Sequence, residues 1–433
     1  MSENNLEQGS NKSVCNSEKS DSRSRSRRRD NIENNESIEN KQNIENIESK
    51  EIKESDNNME VIHIDDTEEI QNQPEQQQNT EYEPDNQNIN NPNNQGQYND
   101  SIQNNQMQNQ ENLILDYTST NTLYSISFQN TNVCRLALGT LEMNPNLANR
   151  IEIVQTMKED NIDIIKKICS EEISFPTSKL MWTPNKTHNN LLAASSDIIR
   201  LYKFDEETDS LTLSTSLNNK KSQYCEPLTS FDWNRENNSI LGTSSIDTTC
   251  TIWDLNKNTI RTQLIAHDKE VYDIAFSKEE QIFISTGADG SIRLFDLRSL
   301  EHSTIIFESK DHIPITKVAW NVNDNYYISA ISEDKNFVYV IDTRNTNQAM
   351  ELTSHTSAVS SMAWAPHSNS HICSVGEDKF VFIWDIQRNL ANSFDGPILS
   401  YCAPGEINNV SWSEMQVNWI GIIFNNNLQL LKI

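Results

Sequence analysis

Two sets of residues in this chain have the types and spacing of hydrolytic chemistry. His267, Ser285 and Asp289 form one set, and His355, Ser374 and Asp378 form the other. A histidine oriented by a carboxylate and reaching a hydroxyl can activate that hydroxyl as a nucleophile. In both sets the serine precedes its aspartate by four residues, and an aromatic residue follows, Phe295 in the first and Trp384 in the second. An active site needs such a set once. Two copies at matching offsets predict a repeated structural network, in which Asp orients the imidazole, the imidazole meets the hydroxyl, and the hydroxyl meets an indole N–H. Phe295 lacks that last donor. A partial version is present as Thr243, Asp247 and Trp253, with Tyr224 where a histidine would fall; His312 is one place off register in another copy.

The elements that must position these residues repeat as well. Seven stretches close on an aromatic residue after alternating apolar positions: "LYSISF", "SKLMW", "LTSFDW", "VYDIAF", "ITKVAW", "VSSMAW" and "INNVSW", ending at Phe128, Trp182, Trp233, Phe276, Trp320, Trp364 and Trp412. Their spacing of 43 to 54 residues brackets the period of four-stranded propeller blades. A second series follows each by roughly 20 residues, as short alternating runs after polar turns: "RIEIVQ", "IIRLYKF", "TCTIWDL", "SIRLFDL", "FVYVIDT", "FVFIWDI" and "NLQLLKI". Helical periodicity is nowhere sustained. The fold class read from this pattern is all-β, a seven-bladed β-propeller.

Each repeat is read as an outer strand followed by three inner ones, "TIRTQLIAHD" supplying the outer strand before "VYDIAF". The chain stops at Ile433, at the third inner strand of its last repeat. The only unspent strand-like segment is "NLILDYTS", residues 112–119. Pairing it with the last repeat closes the ring. The domain is therefore placed at 112–433, behind a tail at 1–111. Between Gln71 and Gln110 roughly 60% of residues are Asn or Gln, a composition that cannot offset its ordering entropy by burial, so the tail is expected to be disordered.

The formal net charge is −28, of which −13 precedes Glu111 and −15 lies from Glu111 onward. So acidic a domain repels phosphate backbones, and no basic stripe with interleaved aromatics is present, which argues against direct nucleic-acid binding. Seven scattered cysteines without a CxxC pair read as reduced thiols. The start, "MSENNLEQGS", is polar, and no apolar run approaches the about 18 residues of a membrane helix. The expected location is cytoplasmic and nuclear, with "RSRSRRR" at 23–29 a patch suited to import or phosphorylation. No phosphate-cradling loop or nucleophile elbow occurs. His367 and His371 in "HSNSH" are read as loop residues without a third metal ligand, and Cys250 as a core residue. No cofactor, metal or catalytic residue is assigned.

The repeats resemble the WD-repeat family, with the WD dipeptide kept in "TIWDL" and "FIWDI". More narrowly, "LTSFDWN", "SSIDTTCTIWDL", "AHDKEVYDIAFS", "GADGSIRLFDLRSLEHSTIIFE", "WAPHSNSHIC" and "GEINNVSW" are similar to the branch of the plant Transparent Testa Glabra and light-regulated WD proteins. That branch includes an animal cullin-associated adaptor that binds DYRK- and HIPK-type kinases. The likeness runs from Thr118 to Ile433. It implies a non-enzymatic, monomeric propeller that links protein kinases and transcription regulators to their partners. An alternative role in such families is substrate receptor of a cullin-RING (cullin-four type) ubiquitin ligase. Receptors of that kind carry WDxR, and "FDLR" and "IDTR" place Arg298 and Arg344 at the matching positions without the Trp.

Overall fold

The computed structural model describes residues 114–142, 147–160, 162–184, 190–218, 226–390 and 396–433. The tail at 1–111 and Tyr224 lie outside the described residues. The described chain forms seven four-stranded antiparallel sheets arranged as a β-propeller. Blades 1 to 6 are contiguous in sequence, at 123–173, 179–217, 228–265, 271–308, 315–353 and 359–402, and blade 7 combines 409–432 with 114–118. Within each blade the strands are named a to d in pairing order. Because consecutive strands are antiparallel, the a–b and c–d turns share one face of the ring and the b–c and d–a turns share the other.

The outer strand belongs to the sheet of the three strands before it. Thr259–Ile265 pairs with Thr249–Asp254 in blade 3, not with the following "VYDIAF", so the sequence repeat is offset by one strand from the sheet. This offset leaves the last sheet one strand short at the end of the chain. Ile114–Thr118 fills the gap, running antiparallel to Asn427–Lys432 from Ile114 opposite Leu431 to Thr118 opposite Asn427. An unpaired edge there would leave backbone groups without partners, at about 1–3 kcal/mol for each one buried. Total stability is only about 5–15 kcal/mol.

Packing follows the same circular logic. Strand b is buried along all or nearly all of its length, as in ILGTSS of blade 3, whereas the outer TIRTQLI alternates exposed and half-buried positions. Among the described residues seven apolar clusters form, one at each blade junction. The cluster joining blades 7 and 1 contains Leu115, Leu123, Leu136, Ile423 and Leu428. The closing aromatic of strand a sits in these junctions, as Trp364 does against Trp384, Val340 and Ile372 between blades 5 and 6.

Strand a has no sheet partner on its inner edge, so its amides need acceptors from elsewhere. The preceding blade supplies them. Asp232 accepts from the Phe276 amide at 2.7 Å, Asp273 from that of Val318 at 3.0 Å, and Ser127 from that of Trp182 at 3.2 Å. Between blades 6, 7 and 1, Ser361 bonds Asn409 at 2.8 Å, and Asn409 donates to the Tyr124 carbonyl at 3.2 Å. The position three residues before the closing aromatic is polar in every repeat: Ser125, Lys179, Ser230, Asp273, Lys317, Ser361 and Asn409. All seven line one central channel of about 460 Å³.

Candidate functional site

The structure brings His267, Ser285 and Asp289 together in blade 4. His267 Nδ1 lies 3.0 Å from both carboxylate oxygens of Asp289, and Nε2 lies 2.8 Å from Ser285 Oγ. In blade 6 the distances repeat: His355 Nδ1 to Asp378 at 3.0 Å and Nε2 to Ser374 Oγ at 2.8 Å, after which the Trp384 indole donates to Ser374 Oγ at 2.9 Å. Phe295 stacks on Phe283 instead, with ring centres 5.0 Å apart and planes at 9°. The histidine comes from the d–a loop, the serine from strand b, the aspartate from the b–c turn and the aromatic from strand c. Each network therefore joins four segments of one blade.

Burial decides what such a set can do. Ser285 and Ser374 have 0% exposure, so no substrate carbonyl reaches either hydroxyl. Burial lowers the His355 pKa from 6.5, opposed by the hydrogen bond and charge of Asp378. For Asp289, burial acts to raise the pKa, but the His267 hydrogen bond and charge and the donors of Ser291 hold it well below the ordinary carboxylate range. Arg293 adds a further donor to Asp289 at 3.0 Å and also meets Asp268 at 2.6 Å. These networks hold the b–c turn against the loop that leads from the preceding blade into strand a of the same blade.

Blade 3 assembles only part of its set. The Trp253 indole donates to Thr243 Oγ1 at 3.2 Å, while Asp247 turns to the Thr249 amide and hydroxyl at 3.0 and 2.7 Å. Asp247 thus caps its own turn. That turn also needs one residue at positive φ: Gly290 in blade 4 (77°), Thr248 in blade 3 (72°) and Lys379 in blade 6 (71°). In blade 4 a Cβ at that position would meet the His312 backbone at 2.6 Å, so only glycine fits there.

The histidine pair of "HSNSH" separates. His367 lies in the a–b turn of blade 6, edge-on to Trp412 at 5.7 Å. His371 is not a loop residue, because it opens the strand His371–Gly376 and meets Ser368 Oγ at 2.6 Å. Among the described residues no group of three or more His, Cys, Asp or Glu is placed to hold a metal ion. Cys250 is fully buried, and burial pushes its thiol up to about 12. The described cysteines, Cys134, Cys169, Cys250, Cys373 and Cys402, are unpaired thiols. No described helix is long and apolar enough to cross a membrane.

Arg298 and Arg344 occupy equivalent c–d turns of neighbouring blades. Each grips the aspartate two residues before it with the same fork: Nε at 2.8 Å and Nη2 at 2.6 Å, to Asp296 and Asp342. The side chains are 64% and 54% exposed. Arg344 also lies over the Tyr326 ring, 4.3 Å from its centre. Two residues that sequence reasoning missed extend the row. Lys257 pairs with Asp254 in blade 3 at 3.0 Å, and Arg388, on the short helix Ile386–Leu390, pairs with Asp385 in blade 6 at 3.3 Å. The signal was available: a basic residue follows the aspartate that ends strand c in all four repeats, at an offset of two or three.

The chain is 43% identical over 326 residues to the DDB1- and CUL4-associated factor 7 homolog of Dictyostelium discoideum, covering 74% of this chain and 98% of that protein. An uncharacterised WD repeat-containing protein of Schizosaccharomyces pombe is 32% identical over 375 residues, covering 69% of this chain and 84% of the other. The chain belongs to the WD-repeat family. Another WD-repeat protein, from Saccharomyces cerevisiae, is 31% identical over 273 residues, with 54% of this chain and 52% of the other covered. A family model described as Nucleolar protein 10-like, N-terminal domain, matches residues 240–384. That match spans the WD-repeat blades carrying both histidine networks and both forked arginines.

Proposed function

We propose that this WD-repeat protein is a non-catalytic scaffold whose face of a–b and c–d turns docks on the adaptor of a cullin-RING ubiquitin ligase, so that it serves as a substrate receptor. The observation that carries this reading is the pair of outward guanidinium groups of Arg298 and Arg344, in a row with Lys257 and Arg388, on a chain of net charge −28. Exposed ion pairs add little to stability, which leaves recognition as the use for a row of basic residues repeated in four blades. Arginine has five N–H donors, so each fork to its own aspartate leaves donors facing outward. The name of the Dictyostelium relative, which refers to DDB1 and CUL4, supports the same reading.

Protein kinases of DYRK and HIPK type and transcription regulators are the partners that the family resemblance implies, and we assign them to the other turns and the side wall. The proposed setting is the cytoplasm and nucleus. Affinity purification of the full chain tests the docking. Cullin-ligase components are expected with wild-type protein and lost with Arg298→Ala plus Arg344→Ala, at unchanged melting temperature and unchanged kinase recovery. Equal cullin recovery by both proteins would remove the two arginines from the docking site. Kinase recovery without any cullin component, from wild type as well, would leave the kinase-adaptor role and remove the ligase one.

A further inference from the structure

The row of basic residues is not uniform, and blade 5 is where it differs. In every blade the residue just before strand b gives its backbone carbonyl to an amide in or just after strand c, at 2.8 to 3.0 Å. Six blades use Cys134, Asn190, Ser239, Gln281, Ser370 and Asn418 for this bond, and blade 5 uses Tyr326. The bond is backbone to backbone, so the turn has no need of a tyrosine ring. Tyr326 is nevertheless 49% exposed, and its ring lies under the Arg344 guanidinium. Tyr327 adds a second ring 5.8 Å away, and its hydroxyl accepts from Arg344 Nη2 at 3.5 Å. Arg344 is therefore held by a carboxylate fork and a ring at once. Among the described residues Arg298 has the same fork but no ring over it.

We propose that Arg344 and Tyr326 together form the anchor of the docking face. The partner presents an acceptor oxygen to Arg344 and lays an apolar side chain on Tyr326. This anchor rests on the ligase reading of that face, and its partner is the ligase adaptor. Asp342 takes Nε and Nη2 of Arg344, which leaves the two N–H groups of Nη1 without a described acceptor. A guanidinium already fixed by a fork and a ring loses little further freedom on binding. Tyrosine and arginine are the side chains enriched where binding energy concentrates. An exposed stack of this kind contributes little to folding, which leaves binding as its use. The row is thereby ranked: blade 5 supplies most of the affinity and blade 4 less.

The test is the Kd of the purified ligase adaptor for the immobilised full chain. Tyr326→Ser, which copies blades 3 and 6, should weaken binding at least about tenfold. Tyr326→Phe should bind as wild type does, because the ring and not the hydroxyl is used. Gln281→Ser, a change at the same position of blade 4, should leave Kd unaltered, and Arg344→Ala should lose more than Arg298→Ala. Melting temperatures are measured alongside and should match wild type for both Tyr326 variants. Should Tyr326→Ser not fold, the order of the two arginine variants decides, and equal losses overturn the anchor. Equal Kd for Tyr326→Ser and wild type, with binding lost in Arg298→Ala plus Arg344→Ala, overturns the anchor and leaves the ligase reading standing. No binding by wild type overturns both.

Discussion

Blades 4 and 6 share a histidine, a serine and an aspartate at the same separations, yet they finish their networks differently. In blade 6 the bonds run on to Trp384, and the His355 ring packs edge-on against Phe382 with centres 4.6 Å apart. In blade 4 the hydroxyl loses its indole partner, and the carboxylate gains one in Arg293. One network is closed by aromatic rings. The other is bound into a charged group that reaches solvent at Asp268, whose side chain is 83% exposed. The shared core of histidine, aspartate and serine therefore sets the blade geometry, and the ends are interchangeable.

The largest effect expected from this contrast is that of Asp378→Ala. Its carboxylate is 3% exposed and also accepts from the Thr356 and Phe380 amides, so truncation leaves the buried His355 ring and two backbone amides without their acceptor and should cost about 3 kcal/mol in denaturant unfolding. Asp289→Ala should cost less, about 2 kcal/mol, because Arg293 keeps Asp268 as a partner. Equal losses would show that the charged end of blade 4 does not share the load. Trp384→Phe removes the terminal donor and part of a fully packed ring, for an expected loss of about 1–2 kcal/mol. It should make blade 6 resemble blade 4.

The smallest effect is a pH slope. The His355 pKa is lowered on folding from 6.5, so the unfolded chain binds its proton first. Stability from this group is full above pH 6.5 and declines as pH falls below it towards the folded value. For Asp289, also lowered, the corresponding loss begins only below about pH 4, the unfolded carboxylate value. Melting curves between pH 7 and 5 should therefore flatten in His355→Gln and keep their slope in Asp289→Asn. The reverse result would exchange the roles of the two blades.

The repeat and its closing strand were legible because each blade writes the same alternation into its own residues. The Ser, His and Asp offsets recur for the same reason. What escaped reading depends on how one blade faces another. Asp232 and Asp273 serve amides 44 and 45 residues away, and Arg235 meets Glu414 at a separation of 179. No local period marks such pairs. Asp247 looked like a network member by position, but without a histidine to orient it found donors in its own turn. The offset between repeat and sheet escaped as well, since an outer strand can be grouped with either neighbour until its hydrogen bonds are known.

The ring on which every docking turn depends is sealed by Ile114–Thr118 against Asn427–Lys432. Amide hydrogen exchange of the full chain tests that seal directly. The amides of 114–118 that face blade 7 should be protected to the same degree as those of their partner strand. Exchange at the rate of an unfolded chain across 114–118, with 427–432 still protected, would contradict it.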